Sequence, residues 1–276
     1  MKIKAAIIDL YDGEENQGMR CIKDILNETN EKNQNIELDF NIYESRNKNE
    51  IPNLGHDIYI SSGGPGDPFD GKGTKWENRY FSLMDKIWSN NENTNRKKYV
   101  FFICHSFQIM ARYFQLGDVI ERRSKSFGIV PIHKTDLGKL DNVLKGLPDI
   151  FYGADFRSWQ VINPNKKIFS ELGAKLISIE KLRPHVDLPR AMMAIRVSNE
   201  FIGTQFHPEA DIPSMSHHFG QEERQTQVIE EYGEKKLKEM LDHLDNPENI
   251  TLTRNTVIPN FLKYAITELT IQVKYF

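Results

Sequence analysis

Three short segments of the 276-residue chain carry side chains suited to chemistry on an amide or ester carbonyl. The run Phe101-Phe102-Ile103-Cys104-His105-Ser106-Phe107-Gln108 reads as a buried strand breaking into a helix at a cysteine. A cysteine there is pushed out of the pleat and exposed above the sheet, the mechanics of a nucleophile elbow. The helix start behind it offers unpaired N–H groups and a partial positive charge, which favour thiolate over thiol. The N–H of His105 would then face the oxyanion of a carbonyl attacked by Cys104. By position alone, a small buried core cysteine is an equal alternative. The second segment is His207-Pro208-Glu209. Pro208 keeps His207 out of the helical region, so the stretch is extended and residues two apart project to one side. Glu209 can hold one imidazole nitrogen while the other faces a thiol, the base and orienter that a thiol nucleophile needs. A surface turn with an ion pair is the plainer alternative. The third segment is Ser61-Ser62-Gly63-Gly64-Pro65-Gly66-Asp67-Pro68. Its glycines can bring backbone N–H groups to an oxyanion or a carboxylate. Gly66 through Gly71-Lys72-Gly73 nearly spells a phosphate-binding loop, but Pro68 removes a needed N–H and Asp67 and Asp70 repel phosphate.

These segments need a scaffold that brings them together. Lys4–Leu10, Asp57–Ser61 and Tyr99–Ile103 are apolar runs expected of strands covered on both faces, and Ile36, Leu38, Phe40 and Ile42 alternate as a half-buried strand. Met19, Ile22, Ile25 and Leu26, then Trp76–Trp88 and Ser106–Leu116, have helical spacing, and Asn90–Asn95 reads as a polar surface loop. Strands alternating with helices predict an α/β fold, an open and mostly parallel sheet flanked by helices. The carboxyl ends of such strands form the ligand crevice, where all three segments can meet. From Val119 to Phe206 short strand-like runs dominate (Phe127–His133, Lys175–Ile179, Ala191–Val197, Phe201–Phe206), which predicts some antiparallel pairing. Beyond Ile212 the chain becomes helical and charged, with an amphipathic helix over Gln225–Leu244 and another from about Val257. The expected organisation is one domain over residues 1–212 with a helical extension, 213–276, packed on it.

Composition narrows the function classes. Basic and acidic side chains nearly balance, 36 against 39, which argues against a nucleic-acid-binding protein. No apolar run approaches the roughly 20 residues that span a bilayer, and Met1-Lys2-Ile3-Lys4 leads into a strand rather than a signal peptide. Two cysteines exclude a disulfide framework and point to a reducing, cytoplasmic setting, with Cys21 on the apolar face of a helix and so in the core. His217 and His218 with Glu222 and Glu223 invite a metal, but adjacent histidines project to different helix faces. Neither a metal nor a cofactor is expected.

Taken together, the segments resemble a class I (triad-type) glutamine amidotransferase. That family shows a Gly-Gly-Pro-Gly loop, a Gly-x-Cys-x-Gly-x-Gln nucleophile motif and a terminal Phe-His-Pro-Glu; here they stand as Gly63–Gly66, Phe102–Gln108 and Phe206–Glu209, in that order. Phe127-Gly128-Ile129-Val130-Pro131-Ile132 and Leu144-Lys145-Gly146-Leu147-Pro148 are similar to the branch that includes the amidotransferase part of GMP synthase. The resemblance covers about residues 1–212 and implies a flavodoxin-like sheet. It implies that Cys104 attacks the glutamine side-chain amide, His207 carries the proton to ammonia and Glu209 orients His207. Backbone N–H groups of Gly64 and His105 would form the oxyanion hole, and Gly66 and Gln108 would help to place the glutamine. Two departures stand out. Phe102 and Ser106 replace the motif glycines, and Asp155–Val161 replaces the family's Ser-His-Gly-Asp, with Arg157 as a candidate carboxylate clamp or one half of an exposed salt bridge. No pyrophosphatase loop is present, so ammonia would pass to a separate ATP-dependent synthetase subunit. The alternatives are a stand-alone hydrolase of γ-glutamyl amides, an acyltransferase with the same triad, or a catalytically dead binding subunit.

Overall fold

A computed structural model describes residues 1–185, 187–235, 238 and 247–274. Five strands form the parallel half of a nine-stranded sheet: β1 (Lys2–Asp9), β2 (Glu37–Glu44), β3 (Ile58–Ser61), β4 (Tyr99–Ile103) and β9 (Phe201–Thr204). The antiparallel half is β5 (Asp118–Lys134), β6 (Ile150–Ile162), β7 (Lys175–Glu180) and β8 (Met192–Arg196), and the order across the sheet is β2-β1-β3-β4-β9-β8-β7-β5-β6. The expected α/β sheet is present, and its second half pairs antiparallel as anticipated.

Alternation along β1 explains why both faces are covered. Ile3, Ala5 and Ile7 point into one core with Met19, Ile22, Ile25 and Leu26 of α1 (Gln17–Lys32), while Ala6, Ile8 and Leu10 point into the other. The second core takes Trp76, Tyr80, Leu83, Met84 and Ile87 of α3 (Lys75–Asn93), and Phe107 and Met110 of α4 (His105–Tyr113). α2 (Ser45–Lys48), α5 (Asp136–Lys139) and α6 (Lys166–Leu172) are short connectors. The C-terminal helix α10 (Val257–Lys274) lies on the α1 face, burying Val257, Ile258, Phe261, Leu262, Ala265 and Leu269 in the first core. Between them come α7 (Ile212–Phe219), α8 (Glu222–Tyr232) and α9 (Pro247–Arg254). α8 ends at Gly233, whose φ of +82° suits glycine, so the helix expected over Gln225–Leu244 stops early; most of its remainder lies outside the described residues.

The expected Asn-rich loop is corrected, and one strand is added. Asn90–Asn93 are not a loop but the last turn of α3. Asn91 pairs with the returning backbone as a peptide unit would, donating to Lys98 O and accepting from Lys98 N at 2.8 Å each. The strand β6 was not read from the sequence, because Asp155 and Arg157 interrupt its apolar pattern. Among the described residues, no helix is long and apolar enough to cross a membrane.

Candidate active site

The carboxyl ends of β1, β3, β4 and β9 open onto a cavity of about 400 Å³. Its lining includes Tyr11, Gly64, Pro65, Cys104, Phe156, His207 and Glu209, with Glu14 and Glu15 from the loop after β1. The other wall is α7 and its ends, which supply Ala210, Ser214, Met215, His217, His218 and Gln221. Sequence reasoning missed this wall. The Asp-x-x-Ser capping box that starts α7, Asp211 to Ser214, was the available signal for the helix, though not for its place.

Cys104 stands between β4 and α4 at φ +49° and ψ −99°, a conformation that side chains rarely adopt. Its backbone is pinned on both sides: its N–H donates to Thr204 O at 2.8 Å, and its carbonyl accepts from Gln108 N at 3.1 Å. The two residues that replace the motif glycines are absorbed locally. Ser106 Oγ accepts from Ile103 N and donates to Ser61 O, each at 2.8 Å, which braces the elbow. Phe102 turns away from the cavity into the second core, and its register partner on β9 is Gly203. A Cβ at Gly203 would lie 3.1 Å from Phe102 Cβ and 2.9 Å from the Phe107 ring, so the missing side chain makes the room. Phe102 therefore shapes the core rather than the pocket wall.

His207 and Glu209 follow β9, but the extended stretch expected from Pro208 is instead a turn, in which Ala210 N donates to His207 O at 3.4 Å. His207 N donates to Ala154 O of β6 at 2.8 Å, which fixes the main chain. Its Nδ1–H donates to Glu209 Oε1 at 2.8 Å, since a carboxylate only accepts. Burial pushes the His207 ring toward neutrality, but the charges of Glu209 and Cys104 and hydrogen bonds to both hold it well above the ordinary histidine value. Cys104, His207 and Glu209 are thus brought together. Cys21, by contrast, is fully buried on α1, and burial raises its thiol to about 12.

Of the two backbone groups expected for an oxyanion hole, Gly64 lines the cavity and His105 directly follows Cys104. His105 is the first residue of α4, so its N–H has no intrahelical acceptor. Burial and the nearby Arg46 and Arg112 push its side chain down to about 3, leaving the ring neutral. Gly64 must be glycine, because a Cβ there would sit 2.4 Å from Leu10 O. At Gly63 a Cβ would meet His207 Cε1 at 2.8 Å, so this loop can pass the imidazole only without a side chain.

Three expected substrate contacts lie elsewhere. Gly66 is outside the lining, exposed in a turn at φ +91°. Gln108 is buried beneath the cavity, where its amide donates to Trp159 O and to Gln205 Oε1. The reading of Arg157 as a carboxylate clamp is corrected. Its guanidinium is 1% exposed and pairs with Asp155 at 2.9 Å and Glu180 at 3.3 Å, so the salt bridge is real but buried. Arg122 and Arg183 complete the cluster on Glu180 and, with Arg157, overcome burial to keep its carboxyl below the usual value. No group of three or more His, Cys, Asp or Glu suited to a metal occurs among the described residues.

Comparison with known proteins agrees with this architecture. The family model described as "Glutamine amidotransferase class-I" matches residues 16–223. No curated protein matches the sequence. Among solved structures, a glutamine amidotransferase from Thermotoga maritima superposes with a TM-score of 0.67 at 16% identity, covering 96% of this chain and 98% of that one. A putative GMP synthase subunit from Thermoplasma acidophilum gives 0.58 at 15% identity, covering 98% of each chain. The glutaminase domain of a Trypanosoma brucei CTPS, solved with bound acivicin, gives 0.59 at 12% identity, covering 96% and 94%. At such identities the superpositions speak for the fold, and the family match over most of the chain decides membership: the protein belongs to the class I glutamine amidotransferases.

Proposed function

We propose that this protein hydrolyses the side-chain amide of glutamine through a thioester on Cys104. The observation that carries the reading is a cysteine at a positive-φ elbow that lines one cavity with an imidazole whose Nδ1 is held by a buried carboxylate. The Cys104 thiolate attacks the amide carbon, and the oxyanion is met by the N–H groups of Gly64 and His105. Collapse breaks the C–N bond while the His207 imidazolium gives its proton to the leaving nitrogen, releasing ammonia and leaving the γ-glutamyl thioester. Water then attacks the thioester, His207 takes its proton, and the thiolate departs from glutamate. Glu209 stabilises the imidazolium between the two half-reactions and keeps Nδ1 as the protonated position. The sum is glutamine plus water to glutamate plus ammonia. The ammonia then passes to a separate ATP-dependent synthetase subunit.

One observation favours a second reading. The cavity reaches the size range of sites for larger ligands, and α7 with Glu14 and Glu15 extends it beyond the triad. That extra room suits a γ-glutamyl amide with a bulkier amine. Glutamate release from glutamine and from a panel of γ-glutamyl amides, with wild type and Cys104→Ala, decides between the two. Equal release by the variant would eliminate the thioester route. Stoichiometric labelling of Cys104 by acivicin, the compound held by the trypanosome domain, would exclude a dead site.

A further inference from the structure

Gln205 lies just after β9, two residues before His207. Gln205 is fully buried, and its Nε2 donates to Cys104 Sγ at 3.7 Å. The orientation of this amide follows from its neighbours. Trp159 O is a carbonyl and only accepts, so Gln108 must turn its nitrogen toward it, at 3.1 Å. The same nitrogen donates to Gln205 Oε1 at 3.2 Å. With its oxygen so engaged, Gln205 has only N–H left to present to the sulfur. The chain from Trp159 O through Gln108 and Gln205 to Cys104 is therefore polarised in one direction and ends in a donor.

We propose that Gln205 is a third group acting on the nucleophile, its N–H favouring the thiolate of Cys104 and holding the sulfur, with Gln108 as the positioning residue that keeps the amide from flipping. The inference rests on Cys104 being the nucleophile. It replaces direct contact with substrate as the role of Gln108. A donor to sulfur favours the ionised form because the thiolate accepts more strongly than the thiol. The surroundings of the sulfur make such a donor useful. Phe156 O lies 4.0 Å from Sγ and accepts from the thiol, favouring the protonated state. Glu209, on the far side of His207, carries a like charge, and Tyr11 stands beside both groups. Glu14, Glu15, His217 and His218 line the same cavity. His207 is the cationic partner. Gln205, fully buried and outside the cavity lining, adds a neutral donor to the sulfur.

The test is the rate of iodoacetamide alkylation at Cys104 against pH, read by peptide mass spectrometry, for wild type, Gln205→Leu, Gln205→Glu and Gln108→Leu. Thermal unfolding checks that each variant is folded. In Gln205→Leu the midpoint moves up by about one pH unit, so alkylation near neutrality slows about tenfold. The limiting rate at high pH stays equal or rises, because a more basic thiolate is the better nucleophile. Gln205→Glu keeps the size and moves the midpoint further up, and Gln108→Leu moves it the same way by less. A residue that only supports the fold would lower the rate equally at every pH. That result, or an unmoved midpoint in a folded Gln205→Leu or Gln205→Glu protein, overturns the inference and leaves the nucleophile standing. A wild-type Cys104 no more reactive than a thiol of the unfolded chain overturns the nucleophile assignment itself.

Discussion

Replacing Glu209 by glutamine isolates the electrostatic part of the site. The side chain is 1% exposed, so the substitution keeps shape and burial and removes one charge. What disappears is the charge assistance of the 2.8 Å bond to His207 Nδ1, a class of bond that contributes about 1.5–3 kcal/mol. Since each 1.4 kcal/mol is a factor of about ten, the rate of glutamate release should fall roughly 10- to 150-fold at saturating glutamine. The upper end is expected, because an amide can turn its NH₂ toward Nδ1 and select the wrong tautomer. Linkage gives an independent signature. Burial opposes the His207 charge, and Glu209 and Cys104 raise the ring well above the histidine value despite it. A raised folded value stabilises the protein fully below the unfolded pKa of about 6.5, and the contribution disappears as pH rises through the folded value. The stability gap between wild type and Glu209→Gln, from urea titrations across that range, should be widest on the acid side and narrow toward alkaline pH. A variant within twofold of wild type, or a gap that widens with pH, would refute the claim that Glu209 holds the imidazolium.

Restoring the family glycine in Ser106→Gly should destabilise the chain by about 1–3 kcal/mol, since it strips partners from Ile103 N and Ser61 O in the buried elbow; urea titration measures it. Gly63→Ala should drive a methyl into His207 Cε1 and cut glutamate release at least about tenfold, with an overpacking cost of about 1–3 kcal/mol in unfolding. Arg20 binds Asp211 at the start of α7 through both oxygens, at 2.8 and 3.0 Å. Arg20→Ala should loosen this wall, raising KM for glutamine more than it lowers kcat and costing about 1 kcal/mol near neutrality. Although burial opposes it, hydrogen bonding to Arg20 keeps the Asp211 carboxyl below its ordinary value. The stability difference should therefore be present above about pH 4 and fade as pH falls through the lowered value.

The three residues of the proposed site were legible from their types and local context: Cys104 at a strand-to-helix break, His207 and Glu209 on either side of a proline. Gln205, two residues before His207, was not singled out. An amide carries no nucleophile or charge to draw attention, and its meaning depends on Gln108, which reaches it only through the fold. Arg157 was misread for the opposite reason. A charged residue in a site-bearing segment suggests a ligand, whereas Asp155, two positions away on the same strand face, was its partner. That pair also hid β6, by placing charge in a strand interior. Phe102 and Ser106 looked like losses because the compensating Gly203 and Ser61 are distant in sequence. The α7 wall depends on Arg20 and on packing of Phe219 and His218 against Phe127 and Phe156, contacts that only the folded chain assembles.

The most direct measurement mixes the protein with glutamine, quenches it in acid within the first turnovers and maps the adduct by mass spectrometry. A γ-glutamyl group on the peptide bearing Cys104, absent from Cys104→Ala together with glutamate release, is the predicted result. Glutamate formed at the wild-type rate by Cys104→Ala, or an adduct carried by any other residue, would contradict a thioester chemistry centred on Cys104, His207 and Glu209.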